Sequence, residues 1–185
     1  MNIKTTIMNI RKTVLLLAAV IIAAVGASAQ TTDEQGRDLD SLYAQSLLKP
    51  GDVAPDFSLR TPDGKMVHLS NFKGKYVLLD FWASWCPDCR KDIPTVKVLH
   101  EKYGSKVTFL GVSFDNDATR WTDCLKKNEM KWTQVSELKK MRESATAELF
   151  GVKWIPSMTL IGPDGKVVLS TVVVERMETA LKNIH

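Results

Sequence analysis

The chain has 185 residues with 25 basic and 21 acidic side chains, a formal net charge of +4. Three of the basic residues fall in the first 29, so the remainder has 22 basic against 21 acidic, a net +1. With no basic tract or basic–aromatic stripe left, nucleic acid and anionic membrane surfaces lose their electrostatic case. The 156 residues from Gln30 onward suit a single domain with a sizeable core.

Residues 1–29 read as a secretory signal. Lys4, Arg11 and Lys12 form the basic region, Val14 to Val25 the apolar region, and Ala27-Ser28-Ala29 a cleavage site, leaving Gln30 first. An uncleaved membrane anchor is the alternative, although the apolar run falls short of the roughly 20 residues that span a bilayer. Export places the chain in a periplasmic or extracytoplasmic space where disulfides persist.

Residues 30–49 form a polar extension with a weak helical spacing of Leu39, Leu42, Tyr43 and Leu47, expected to be frayed or loosely docked. Lys49-Pro50-Gly51-Asp52 punctuates the chain, and one domain covers 50–185. Phe57-Ser58-Leu59 and Met66 to Leu69 flank Pro62-Asp63-Gly64-Lys65 as a β-hairpin, and Pro163-Asp164-Gly165-Lys166 repeats that turn chemistry between 158–161 and 167–169. Between the hairpins the pattern predicts a strand over 76–82, a helix over 87–103 bent at Pro94, and a strand over 107–114. A helix over 117–127, a strand near 132–135 and a helix near 143–149 follow, with a last helix over 175–183. Such alternation argues an α/β fold, a central sheet with helices on both faces.

Cys86 and Cys89 stand three residues apart where the 76–82 strand gives way to a helix. Such a pair can cycle between dithiol and disulfide. Cys86 falls at the N-cap and Pro87 at the first helical position, where a missing N–H costs nothing. The helix dipole and free N–H groups there favour a thiolate, which makes Cys86 the expected nucleophile and the exposed thiol. Cys89, one turn on, is the expected buried resolving thiol. A zinc site with this spacing would need two more ligands, and only Cys124, His68, His100 and His185 remain, without a second paired motif. No cofactor beyond the Cys86–Cys89 disulfide, and no metal, is expected.

Asp80-Phe81-Trp82-Ala83-Ser84-Trp85-Cys86, with Trp154-Ile155-Pro156-Ser157, resembles the thioredoxin fold. The lead-in from Gly51 to Leu59 and the phrase Asn71-Phe72-Lys73-Gly74-Lys75 narrow the resemblance to the exported TlpA/ResA-like branch of bacterial thiol-disulfide oxidoreductases. It covers about residues 50–184 and implies a thioredoxin core with an N-terminal β-hairpin over 57–69 and a central helical insertion over roughly 116–150. It further implies Pro156 as a cis-proline beside the disulfide, with the Ile155 backbone open to an extended substrate. Trp85, Pro87, Asp88, Ile155 and Pro156 become substrate contacts. Asp80 matches the buried carboxylate below the cysteines and could exchange a proton with Cys89; Asp92, where related proteins often carry Glu, could share or replace that role. The lysine that partners the buried aspartate in thioredoxins is missing, its place falling at Gly111, so the Asp80 pKa should be raised. Asp88 adds negative charge near Cys86 and favours a reducing poise.

Plainer readings stand beside these. Asp80 can be a solvated strand-end acid, Asp92 an acid on an open helix face, and Trp85 half-buried packing. Trp82 and Trp154 read as core or rim, Cys124 as a small buried hydrophobe, and the lysines at 126, 127, 139 and 140 as a solvated face. The resemblance implies a monomeric reductase of protein or peptide disulfides, fed by a membrane electron-donor protein. A peroxiredoxin-like peroxidase is the rival, but it would need Thr or Ser where Ala83 stands. A non-catalytic binding module of the same fold is the third reading.

Overall fold

A computed structural model describes residues 31–184. The signal sequence expected over residues 1–29 therefore lies outside the described residues. Residues 31–38 form a small unit of their own: Thr32 and Asp38 bridge, and the Asp33 carboxylate accepts hydrogen bonds from the Gln35 and Arg37 backbone and from Arg37 Nε.

The second unit, from Leu39, carries helix α1 (Leu39–Tyr43), the hairpin β1 (Ser58–Arg60) and β2 (Met66–His68), and strand β3 (Tyr76–Trp82). Helix α2 (Pro87–Tyr103), β4 (Val107–Ser113), α3 (Ala118–Lys127), β5 (Thr133–Ser136) and α4 (Ala145–Leu149) follow. The chain closes with β6 (Ser157–Ile161), β7 (Val167–Thr171) and α5 (Val174–Lys182). The strands form one mixed sheet in the order β2-β1-β5-β4-β3-β6-β7. β3 runs parallel to β4, and β4 to β5, whereas β6 is antiparallel to β3. Successive side chains on a strand face opposite ways, yet six of the seven residues of β3 and all five of β6 are buried, so both faces of the sheet centre are covered. The expected α/β architecture is therefore observed, with element boundaries within about two residues.

Both hairpin turns have the same construction. Thr61 N–H bonds Lys65 O and Gly162 N–H bonds Lys166 O, with Gly64 and Gly165 at φ of 82° and 77°, a region that favours glycine. α2 runs without a break through Pro94. Residue 94 lies in the eighth position of that helix and is exposed.

The extension departs from expectation. Rather than fraying, residues 39–48 are pinned: Ala44 and Leu47 are buried, and Ser46 Oγ donates to the Gly151 carbonyl at 2.7 Å. Asp40 is the anchor. Its carboxylate accepts from Thr171 Oγ1 and the Val172 N–H, each at 2.8 Å, and pairs with Arg176. Hydrogen bonds to a charged acceptor contribute about 1.5–3 kcal/mol each, enough to hold a helix of five residues that would not form alone.

Candidate active site

The site forms where β3 ends. Trp82 is the last residue of the strand, residues 83–85 turn, and Cys86 caps α2 with φ −80° and ψ 116°. As the sequence predicts, Pro87 holds the first helical position, and the Cys86 Sγ accepts a hydrogen bond from the Cys89 N–H at 3.1 Å. Cys86 and Cys89 are joined as a disulfide. In this disulfide form both residues are buried, 4% and 3% exposed, with the Cys86 Sγ 3.7 Å from the Ile155 carbonyl oxygen; the expected exposure of the Cys86 thiol concerns the dithiol form. What distinguishes Cys86 is its place at the helix N-terminus, where the dipole and free N–H groups stabilise a thiolate.

The turn before Cys86 is held from an unanticipated direction. Asp115, buried just after β4, accepts from the Ser84 N–H at 2.9 Å, the Ser84 hydroxyl at 2.6 Å and the Ser113 hydroxyl at 2.7 Å. Arg90 Nη1 donates to the Ser84 carbonyl at 2.8 Å. Three bonds to one buried carboxylate leave the turn little freedom, which fixes where Cys86 sits. Across the disulfide, the Ile155–Pro156 bond is cis, as the resemblance implied. Ser157 Oγ donates to the Trp154 carbonyl at 3.0 Å and braces that loop.

The two acids singled out in the sequence lie on different elements. Asp80, on β3, is 5% exposed. Burial first, then the charge of Asp92, pushes its pKa up to about 7. Asp92, half-buried on α2, is raised to about 6, by burial first and then by Glu175 and Asp88, with Lys91 opposing. Neither is a plain solvated carboxylate. Asp80 stands opposite Gly111 in the β3–β4 register, which matches the missing cation of the sequence reading. Asp88, in the first turn of α2, pairs with Lys91 at 2.8 Å on the surface, yet its charge still contributes to raising Asp92.

A further group went unread in the sequence. Gln134, on β5, is the next cross-strand neighbour of Gly111, and its amide lies over that glycine. Its Oε1 accepts from the Trp82 indole N–H at 3.1 Å, while its Nε2, also buried, has no hydrogen-bond partner among the described residues. The glycine itself was the available signal, since a strand glycine often marks close approach of another group.

Trp82 is core, whereas Trp154 and Trp85 stand open at 41% and 50% exposure. Cys124 is half-buried, its pKa raised by burial, with Asn128 Nδ2 against its sulfur at 3.4 Å. Among the described residues, no cluster of three or more His, Cys, Asp or Glu side chains is placed to hold a metal, and no helix is long and apolar enough to cross a membrane.

Comparison with known proteins agrees with this geometry. The chain is 43% identical over 67 residues to the thioredoxin-like protein YneN of Bacillus subtilis, a stretch covering 36% of this chain and 39% of that protein. It is 28% identical over 159 residues to the thiol-disulfide oxidoreductase ResA of Bacillus cereus, covering 85% and 87% of the two chains. The solved structure of a thiol-disulfide oxidoreductase from Bacteroides fragilis superposes with a TM-score of 0.68 at 30% identity, over 72% of this chain and all of that one. Residues 49–184 match the Redoxin family, and with a Cys86–Cys89 disulfide at the head of α2 the chain belongs to that family as a TlpA/ResA-like thiol-disulfide oxidoreductase of the thioredoxin superfamily.

Proposed function

We propose that the chain is an exported, monomeric reductase of protein or peptide disulfides. The observation that carries this reading is the Cys86 Sγ, capping α2, set against the Ile155 carbonyl with the raised carboxyl of Asp80 on the adjoining strand. In the dithiol form the Cys86 thiolate attacks one sulfur of a substrate disulfide. A Cys86–substrate bond forms, and the other substrate sulfur leaves as a thiolate. Cys89 then gives its proton to Asp80, or to Asp92, and attacks the Cys86 sulfur, forming the Cys86–Cys89 disulfide and releasing the second substrate thiolate. Two electrons pass to the substrate, whose two sulfurs take up protons from the acid and from water. Trp85, Pro87 and Asp88 on one side and Ile155 and Pro156 on the other are the substrate contacts.

Restoring the dithiol requires a two-electron donor, which in an oxidising space we assign to a membrane protein dithiol. Export itself rests on residues 1–29, and the mature protein is expected to begin at Gln30, as an intact-mass measurement of material from the producing cell would show. Detection only of a chain that retains residues 1–29 would remove the cleaved-signal reading.

Two raised carboxyls, on β3 that leads to the pair and on α2 that carries it, oppose further negative charge there, which disfavours the stabilised thiolate that makes a strong oxidant. The expected reduction potential is therefore roughly −230 to −280 mV, near the reducing end of the family scale. A glutathione redox titration reads it directly. A value above about −180 mV would place the chain with the oxidases and isomerases and reject the reductase assignment.

A further inference from the structure

The pinned extension delivers one side chain to the edge of the site. Tyr43, the last residue of α1, stacks on the Trp154 ring with centroids 4.2 Å apart and planes 20° from parallel. Trp154 immediately precedes Ile155, whose carbonyl touches the Cys86 sulfur, and Trp85 immediately precedes Cys86 itself. Two large indoles, each one residue from the reacting contact, are thus exposed beside it, and Tyr43 backs one of them. The Asp40 bonds to Thr171, Val172 and Arg176 hold α1 in position for that stack.

We infer that Tyr43 belongs to the substrate-binding surface: the Tyr43–Trp154 stack, together with the exposed Trp85 next to Cys86, seats an extended polypeptide that carries an aromatic or branched aliphatic side chain beside its disulfide cysteine. This rests on the reductase reading and names its substrate class. The occupant follows from continuity with the reactive centre. A chain whose sulfur reaches Cys86 must pass between the Trp85 turn and the 154–156 loop, and its neighbouring side chain then meets indole and phenol faces. Such faces favour apolar and aromatic groups, with offset or edge-on ring contacts. Preorganisation supports the same conclusion, since Trp154 is already held flat by Tyr43 and loses little rotamer freedom when the substrate arrives. Small disulfides, having no side chain to place, gain nothing from this wall.

The test compares the reduced wild type with Tyr43→Ala and Tyr43→Phe on three substrates: a disulfide peptide with Phe beside the cysteine, the same peptide with Ser there, and hydroxyethyl disulfide. Tyr43→Ala is expected to raise KM for the Phe peptide about two- to tenfold, the size of one aromatic contact, with kcat held. The Ser peptide and hydroxyethyl disulfide should change less than twofold, the reduction potential should not move, and Tyr43→Phe should keep the wild-type KM. An equal change on all three substrates, no change on any, or a change in oligomeric state in place of the KM effect would overturn the inference. Wild type that reduces hydroxyethyl disulfide but neither peptide would sink the docking surface and leave the dithiol chemistry standing. Failure on all three would remove the reductase function itself.

Discussion

Cys86→Ser is expected to lose disulfide exchange down to background, whereas Cys89→Ser should attack substrate normally and then stall, accumulating mixed disulfides through Cys86. The asymmetry follows from placement. Cys86 caps α2 and is fixed by the Asp115–Ser84 bonds on one side and the Ile155 loop on the other. Cys89 lies inside the first turn of α2, where it reaches the Cys86 sulfur of an adduct but is poorly placed to meet a substrate first. Non-reducing electrophoresis of each variant after mixing with a disulfide peptide, followed by mass spectrometry of the adducts, distinguishes the two roles. Adducts through Cys89 in the Cys86→Ser protein, at a level matching the reverse variant, would invert the assignment.

Asp80→Asn should slow the resolving step on the order of a hundredfold while leaving the fold as stable as before or more so. The rate loss is the usual size for removing a general acid–base group. The stability gain follows from linkage. In an unfolded chain the Asp80 carboxyl ionises near its ordinary 3.8, whereas in the folded protein burial and Asp92 hold it near 7. Between those values the folded state binds the proton and the unfolded state does not. Folding stability therefore falls as pH rises from about 4 to about 7, and the favourable contribution exists only at the acid end. Three pKa steps at 1.4 kcal/mol each bound the effect at about 4 kcal/mol for this nearly inaccessible group. Asn cannot ionise, so the variant's stability should be flatter across that window and should exceed the wild type most at pH 8, less any cost of its own unpaired amide. Asp92, raised to about 6, adds a smaller slope of the same sign that persists in the variant. Urea unfolding of the oxidised proteins at pH 5 and pH 8 reads one half of this, and single-turnover exchange from pH 6 to 9 reads the other. An Asn variant with wild-type exchange rates across that range would transfer the proton role to Asp92 or to water.

What the sequence made legible was local. The twin Pro-Asp-Gly-Lys turns, the β3 run ending at Trp82 and the N-cap at Cys86 are encoded within a few residues each, and the structure has them where the pattern puts them. The missing lysine at Gly111 could also be read, because a parallel register ties that position to Asp80. What stayed hidden depends on distant partners. Asp40 meets Thr171 across 131 residues of chain, Asp115 reaches back 31 to Ser84, and Gln134 reaches 52 to Trp82. Nothing in the composition of 30–49 distinguishes a strap with one well-bonded acid from a loose tail, so the extension was expected to be frayed or loosely docked. Asp88 is a converse case: its charge is plain in the sequence, but its surface pairing with Lys91 depends on a side-chain conformation.

The contact between Gln134 and Gly111 ties two positions into a single choice. A β-carbon at 111 would stand 2.1 Å from the Gln134 Oε1, so any side chain there must evict the amide. Eviction would strip the Trp82 indole N–H of its acceptor in the protein interior. Supplying Asp80 with a lysine from position 111 is therefore not one substitution but at least two, with a buried tryptophan to be accommodated as well. Among the described residues no cation pairs with Asp80, and the glutamine amide that occupies the space over Gly111 is what keeps one from being added there by a single change.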